Sequence, residues 1–425
     1  MAKSASPFAI RDFRFLWAAR FASTLGQNAM VVVIGWQVYD IARRTMSPRE
    51  AAFQLGLIGL CQFLPLALLT LVSGWTADRV DRRRIGQIAL LTESACALAL
   101  ALLAWWGASS LVAIYLVAVT LGASRAFAGP AISALAPNLV PAAILPRAIA
   151  ASSVAWQVGA IVGPALGGYL YAAAPWIPYV VTAALFILSA LSIGLIRRLP
   201  PTRLDRTVHP WRQMVEGLHY VRRNRLVLGA ISLDLFAVLL GGATAMLPIY
   251  ARDILKVGAE GLGNLRAAPA IGATLAAIWF SVRPLRRHVG VKMLAAVATF
   301  GAATLVFGLS RWLPLSLAAL AVLGAADMLS VYVRQSLVQI YTPDEMRGRV
   351  GAVSTLFISG SNELGEAESG LLAALVGAVP AVVLGGLGAI GITLAWARLF
   401  PELSGAHTFD PPRNLDIDPR EEMAA

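Results

Sequence analysis

Carboxylates and arginines set inside long apolar runs are the residues of this chain that could do chemistry. Asp234 lies in an apolar run centred at about residue 238, Asp327 in one centred at about 327, and Glu363, Glu366 and Glu368 in one centred at about 362. Acidic groups in low dielectric, above all two close together, suit reversible protonation. Glu363 and Glu366 are three residues apart and share a helix face, whereas Glu368 points elsewhere. For any one glutamate, bonding to a serine, an asparagine or a neighbouring helix is as good a reading as proton coupling. Arg125 and Arg334 also fall within apolar runs. A charge there costs a few kcal/mol, so each is expected to have a partner or a water-filled cavity. Arg334 follows Asp327 by seven residues, about two helical turns along one face, which makes the two simple structural partners.

The elements that hold these residues follow from composition. Hydrophobic residues make up 58% of the 425-residue chain and charged residues 14%, with a mean hydropathy of +0.70. A soluble domain is nearer one quarter charged, so the bilayer is the solvent here. About twelve apolar runs reach roughly 20 residues, the length a helix needs to cross about 30 Å of hydrocarbon. The runs are continuous and rich in Ala, Leu and Gly rather than alternating, which predicts helices and not a β-barrel. Pro141, Arg147, Ser152, Gly163 and Gly168 recur 202 residues later as Pro343, Arg349, Ser354, Gly365 and Gly370. The second half therefore reads as a copy of the first, and a parallel repeat places a binding interface near the midplane.

The fold expected is an all-α membrane protein of twelve transmembrane helices in two six-helix bundles, residues 1–196 and 226–400. Residues 197–225 form the linker, where Trp211, Met214, Val215, Leu218 and Val221 recur at helical spacing and point to a short helix on the membrane surface, a solvated loop being the alternative. Residues 401–425 read as a disordered tail. The same offset relates Arg125 to Asp327, which predicts that they face a central cavity at similar depth from opposite halves.

The net charge of +12 raises the question of nucleic acid, but its distribution answers it. With both termini cytoplasmic, 25 of the 35 lysines and arginines fall on the cytoplasmic side and 7 on the other, with only Arg20, Arg125 and Arg334 left inside apolar runs. That is the positive-inside pattern, and no nucleic-acid partner is implied. Cys61 and Cys96 sit in apolar runs and the four histidines lie in loops or tails, so neither a disulfide framework nor a metal site is expected, nor a histidine proton relay. The first run lacks a small-residue cleavage pattern and is expected to stay as the first helix. Gly386, Gly388 and Gly391 fit a dinucleotide-binding spacing but lie in an apolar run with no soluble strand before them, so they read as helix packing. No phosphate-cradling loop is present, and no cofactor is expected.

Three further motifs carry a resemblance. The segment Gly74-Trp-Thr-Ala-Asp78-Arg79-Val-Asp81-Arg82-Arg83-Arg84, between the second and third runs, resembles the loop signature of the major facilitator superfamily. Asp81 stands where that family has glycine; aspartate tolerates a left-handed turn, so the turn is expected to persist. The resemblance implies that Gly74, Asp78, Arg79, Arg82 and Arg83 form a cytoplasmic latch of an outward-facing state, where a plain positive-inside anchor would explain the arginines but not the Gly74–Asp78 spacing. Gly159, Gly163, Pro164, Gly167 and Gly168 look like the exporter-associated motif of the family's fifth helix, with glycines four apart giving a flat contact face and Pro164 permitting a bend. Leu121, Arg125 and Gly129 resemble the family's arginine-bearing fourth helix. Finally, Leu233–Pro248, Thr342–Arg349 and Ser361–Gly370 look like the siderophore-exporter branch.

What these resemblances imply is a secondary active exporter in a bacterial inner membrane, exchanging protons for a siderophore or similar compound by alternating access, with a multidrug exporter of hydrophobic compounds as the alternative. Asp234, Asp327, Arg334, Arg125, Glu363 and Glu366 are the candidate proton or cargo residues, the lipid bilayer and a small molecule are the partners, and a monomer is expected. A non-transporting scaffold on the same fold would need neither the loop signature nor the charges within the runs.

Overall fold

The computed structural model describes residues 6–77, 80–133, 135–197, 210–285 and 287–409. Among these, every regular element is helical. The first half holds α1 (Arg11–Ala42), α2 (Pro48–Ala77), α3 (Arg82–Trp105), α4 (Leu111–Ser133), α5 (Leu145–Ala173) and α6 (Ile177–Gly194). After α7 (Pro210–Arg223) come α8 (Arg225–Leu240), α9 (Gly258–Val282), α10 (Val289–Leu309), α11 (Leu313–Ile340), α12 (Asp344–Val376) and α13 (Ala378–Leu399). Beyond α8 the chain continues through a 3-10 turn, Ala243–Met246, and a π turn, Tyr250–Ile254, so that one span runs Arg225–Ile254.

Ten of the described helical segments are long and apolar enough to cross a membrane. The remaining two of the twelve runs, α1 and α12, have 32 and 33 residues but are more polar: α1 begins Arg-Asp-Phe-Arg, and α12 carries Glu363, Glu366 and Glu368. Outward faces are rich in exposed Leu, Ile and Val, as at Leu68, Ile88, Leu116 and Leu309. A soluble monomer does not leave so much apolar surface in water, whereas lipid covers it readily.

The packing repeats helix for helix. In the first half α1 lies against α5 and α6, α3 against α4 and α6, and α2 against α4; in the second, α8 lies against α12 and α13, α10 against α11 and α13, and α9 against α11. Between halves, α2 packs on α12 and α5 on α9. A two-fold relation produces this pattern, since it exchanges each of those two interfaces for the other.

The glycine repeats explain how the backbones come so close. A Cβ on Gly163 would stand 2.7 Å from Asn28 Cβ and 2.8 Å from Leu25 O of α1, and one on Gly365 would stand 3.0 Å from Val238 O of α8. Gly168 abuts Ala259 and Gly263 of α9, and Gly370 abuts Gly56 of α2, at the two interfaces between halves. Association in lipid depends on such close packing because burial of apolar surface gives no driving force there.

Two local expectations change. Asp81 has φ −55°, outside the left-handed region, and its carboxylate accepts from Arg83 N at 3.0 Å. It caps α3 by bonding a free amide of the first turn, so no left-handed turn is needed. The chain from 401 to 409, read as the start of a disordered tail, instead packs on the second bundle: Leu403 is fully buried beside Val289 and Met293, and Gly290 N donates to Ala406 O at 3.0 Å. Arg225 donates to Glu402 at 2.6 Å; a backbone amide bond first, and Arg225 second, hold the Glu402 carboxyl below the usual carboxylate range. Residues 410–425 lie outside the described residues. Between the bundles, α7 buries Val221 among Val227, Val350 and Val353 and pairs Glu216 with Arg349 at 2.9 Å, while Val215 and Leu218 stay exposed.

Candidate functional site

Two ends of the molecule are distinguished by sequence. The linker end carries α7 and the α2–α3 loop; the far end carries Ala42, Pro48, Ile254, Gly258 and Val376.

A pocket between the halves holds about 500 Å³ of empty space, its open mouth included. Apolar residues of α1 and α2, among them Val31, Leu55 and Ile58, face Leu247 and Leu262 across it. Its polar groups are Gln62, Thr244, Arg266 and Glu366. Arg266 Nη2 donates to Glu366 Oε1 at 3.4 Å, and Arg266 Nη1 to Thr244 O at 3.1 Å. That carbonyl belongs to the 3-10 turn beyond α8, where helical bonding is interrupted. On the opposite wall Gln62 Oε1 accepts from Arg125 Nη1 at 2.9 Å, so Arg125 meets the pocket through Gln62. Behind it Glu93 is fully buried, accepts from Gln27 at 3.1 Å and Ser124 at 3.4 Å, and feels the charge of Arg125.

Asp327 lies elsewhere. With Asp234, Ser330, Val297 and Phe300 it lines a smaller cavity inside the second bundle, between α8, α10 and α11, and does not share the central pocket's lining with Gln62 and Glu366. The offset of 202 fixes which helix carries the residue but not its rotation. Arg334 donates to Asp234, and both are nearly fully buried, at 2% and 6% side-chain exposure. Asp327 feels the charges of both. Buried Arg334 Nε and Ser330 Oγ have no hydrogen-bond partner among the described residues. Arg334 thus pairs with Asp234, while Asp327 stands near enough to both to feel their charges.

A third cluster joins the halves at the far end. Tyr39 Oη donates to Asp253 at 2.6 Å, and Arg43 Nε reaches the same oxygen at 3.3 Å. In return Arg252 Nη1 lies 3.1 Å from Asp40, which Arg44 also contacts at 3.1 Å. The π turn brings Arg252 and Asp253 to this position.

Of the loop motif, Gly74 lies in α2, while Asp78 and Arg79 lie outside the described residues. Arg82 opens α3, and Arg83 Nη2 donates to Gly194 O of α6 at 3.2 Å. In the helix-five motif Gly159, Gly163 and Gly167 face α1, Gly168 faces α9, and Pro164 O lies 2.7 Å from where a Cβ on Gly263 would be. Glu363 lies in α12, and its side chain is outside the description; Glu368 accepts from Ser369 at 3.5 Å. Arg266 and the Tyr39–Arg44 and Arg252–Asp253 groups were not among the residues singled out from sequence. Arg266 falls only eight residues past the start of α9, where an apolar-run count leaves it with the loop cations.

Residues 2–412 match the family described as transmembrane secretion effector. The enterobactin exporter EntS of Escherichia coli O1:K1 is 28% identical over 395 residues, and that of Citrobacter koseri 28% over 400, each alignment covering 92% of both chains. Among solved structures, a bacterial homologue of the human lysosomal transporter Spinster, inward-facing and unoccupied, superposes with TM-score 0.71 at 17% identity over 92% of this chain and 98% of that one. The inward-open xylose transporter of E. coli gives TM-score 0.65 at 14% identity, over 90% and 95%. These structures share the fold, and the relatives are transporters rather than enzymes. The chain belongs to the transmembrane secretion effector family and is a multi-pass membrane transporter of the major facilitator superfamily.

Proposed function

We propose that the protein exports a small amphiphilic organic compound from the cytoplasm by exchange for protons. The linker end faces the cytoplasm, as the excess of Lys and Arg there favours, and both termini lie on that side. Helices α1 and α12, added to the ten more apolar spans, bring the crossings to twelve, in a bacterial inner membrane and as a monomer. The far-end ion pairs hold the two halves together outside, which corresponds to an inward-facing state, and the Gly74–Arg84 segment is the latch for the opposite one.

The observation that carries proton exchange is the set Asp234, Asp327 and Arg334 inside the second bundle, Asp234 and Arg334 buried and Asp327 half-buried at a cavity, with one more carboxylate than cation. In an apolar surround an uncompensated charge is expensive, and binding one proton removes it. The cargo occupies the central pocket, in the other wall of the same bundle. A siderophore is the favoured cargo, in keeping with the enterobactin exporters that the chain resembles. A multidrug exporter would share fold and coupling.

Proteoliposomes loaded with enterobactin or with ethidium, under an imposed pH gradient, test both readings. Gradient-driven efflux of enterobactin is expected; movement of ethidium instead would favour the multidrug reading. Asp327→Asn is expected to abolish gradient-driven efflux while leaving cargo exchange across the membrane without a gradient. Wild-type gradient-driven efflux in Asp327→Asn and Asp234→Asn would remove this set from coupling.

A further inference from the structure

We infer that the central pocket is neutral by construction and selects uncharged amphiphiles, with Arg266 and Glu366 as the residues that set this preference. The inference deepens the exporter reading and rests on it for the role of the pocket.

Four observations lead there. Among the described residues lining the pocket, the charged ones are Arg266 and Glu366, and they are 3.4 Å apart. Both are about three-quarters covered, at 26% and 30% side-chain exposure, so water screens them incompletely. Arg266 is also tied to the wall through Thr244 O. On the other wall Arg125 presents an amide rather than a cation, because Gln62 stands between it and the pocket and Glu93 sits behind it. Each half thus places one arginine near the pocket and balances it with a glutamate of the same half.

An ionised cargo meets a penalty of either sign. An anion gains Arg266 only by separating it from Glu366, which leaves a carboxylate unpaired in a poorly solvated wall. A cation does the same to Arg266. A neutral molecule with hydroxyls or carbonyls leaves the pair intact: Glu366 accepts from its hydroxyls, Arg266 donates to its carbonyls, and Val31, Val32, Leu55, Ile58, Leu247 and Leu262 cover its apolar part. Un-ionised phenols and their amides or lactones fit this description.

The test uses three catechols of similar size and different charge: 2,3-dihydroxybenzamide, 2,3-dihydroxybenzoate and dopamine. Binding to the purified full-length protein is followed by quenching of its tryptophan fluorescence. The wild type is expected to bind the amide best. Glu366→Gln frees Arg266 and should raise the benzoate-to-amide affinity ratio at least ~10-fold, and Arg266→Gln should raise the dopamine-to-amide ratio comparably. The exchanged pair Arg266→Glu with Glu366→Arg restores neutrality and should return both ratios towards wild type, which separates charge balance from damage to the fold. Wild-type preference for the benzoate or dopamine, or ratios that stay within twofold of wild type in both single variants, would overturn the inference. Binding needs no gradient, so shifted ratios without vesicle efflux would sink only the exporter reading, and gradient-driven efflux with unshifted ratios only this one.

Discussion

Removing the Asp253 carboxylate should open the far end, and the structure sets the size of the effect. Asp253 accepts from Tyr39 at 2.6 Å and pairs with Arg43 at 3.3 Å, while Arg43 and Asp253 are each 26% exposed. A hydrogen bond to a charged group contributes about 1.5–3 kcal/mol, and a partly exposed ion pair up to about 1. These contacts exist only while α1 and the end of the α8 span touch, so their loss acts on one conformation alone. Asp253→Ala should therefore favour the outward-open state by about 2 kcal/mol, roughly a 30-fold change in the equilibrium. Asp253→Asn can still accept from Tyr39 and should lose only the ion pair, about 1 kcal/mol or roughly fivefold. The assay is the labelling rate of a cysteine at Val31 in the pocket by a membrane-impermeant maleimide added on the far side, in a chain with Cys61 and Cys96 replaced by alanine. When opening and closing are fast compared with labelling, that rate is proportional to the open population. Rates within twofold of the parent for Asp253→Ala would refute the idea that this cluster holds the halves together. The Asp40→Ala/Asp253→Ala cycle then separates the two crossing ion pairs, because Arg252–Asp40 survives in Asp253→Ala.

Other outcomes follow from the same geometry. Arg334→Met should leave Asp234 buried without its partner and cost about 3–5 kcal/mol, seen as a lower unfolding temperature in detergent; Asp234→Leu added to it should recover most of the loss. Gly163→Val must place a side chain against Leu25 O and Asn28, a cost of about 1–3 kcal/mol, whereas Gly129→Ala meets no atom within 4 Å and should unfold at the wild-type temperature. Leu403→Asp should release residues 401–409 from α10 and expose the chain near Gly405 to proteolysis, with the helices intact.

The fold was legible because its causes are local. Runs of apolar residues fix the helices, and backbones that touch leave glycine at the contact, so Gly163 with Gly365 and Gly168 with Gly370 are visible as letters. Ion-pair partners leave no such mark. Arg334 has Asp327 two turns away on its own helix, yet donates to Asp234, 100 residues distant, because the rotation of α8 against α11 decides which carboxylate it meets. The tail looked disordered because its composition is polar beyond 409, while Leu403 and Phe400, which seat it, are single residues in a short stretch. Arg266 escaped notice because length and hydropathy alone do not distinguish the first turns of a span from the loop before it.

The α8 span has one more property. Thr244 O takes a hydrogen bond from the pocket arginine, and eight residues later Arg252 and Asp253 grip α1, with a 3-10 turn and a π turn lying at either end of this stretch. A 3-10 stretch within a helix often marks a hinge, and π turns often lie at functional sites. On the exporter reading, the wall that would hold cargo and the outer grip are tied to the same short piece of backbone, so filling the binding chamber and releasing the exit are expected to be coupled along one stretch of covalent chain.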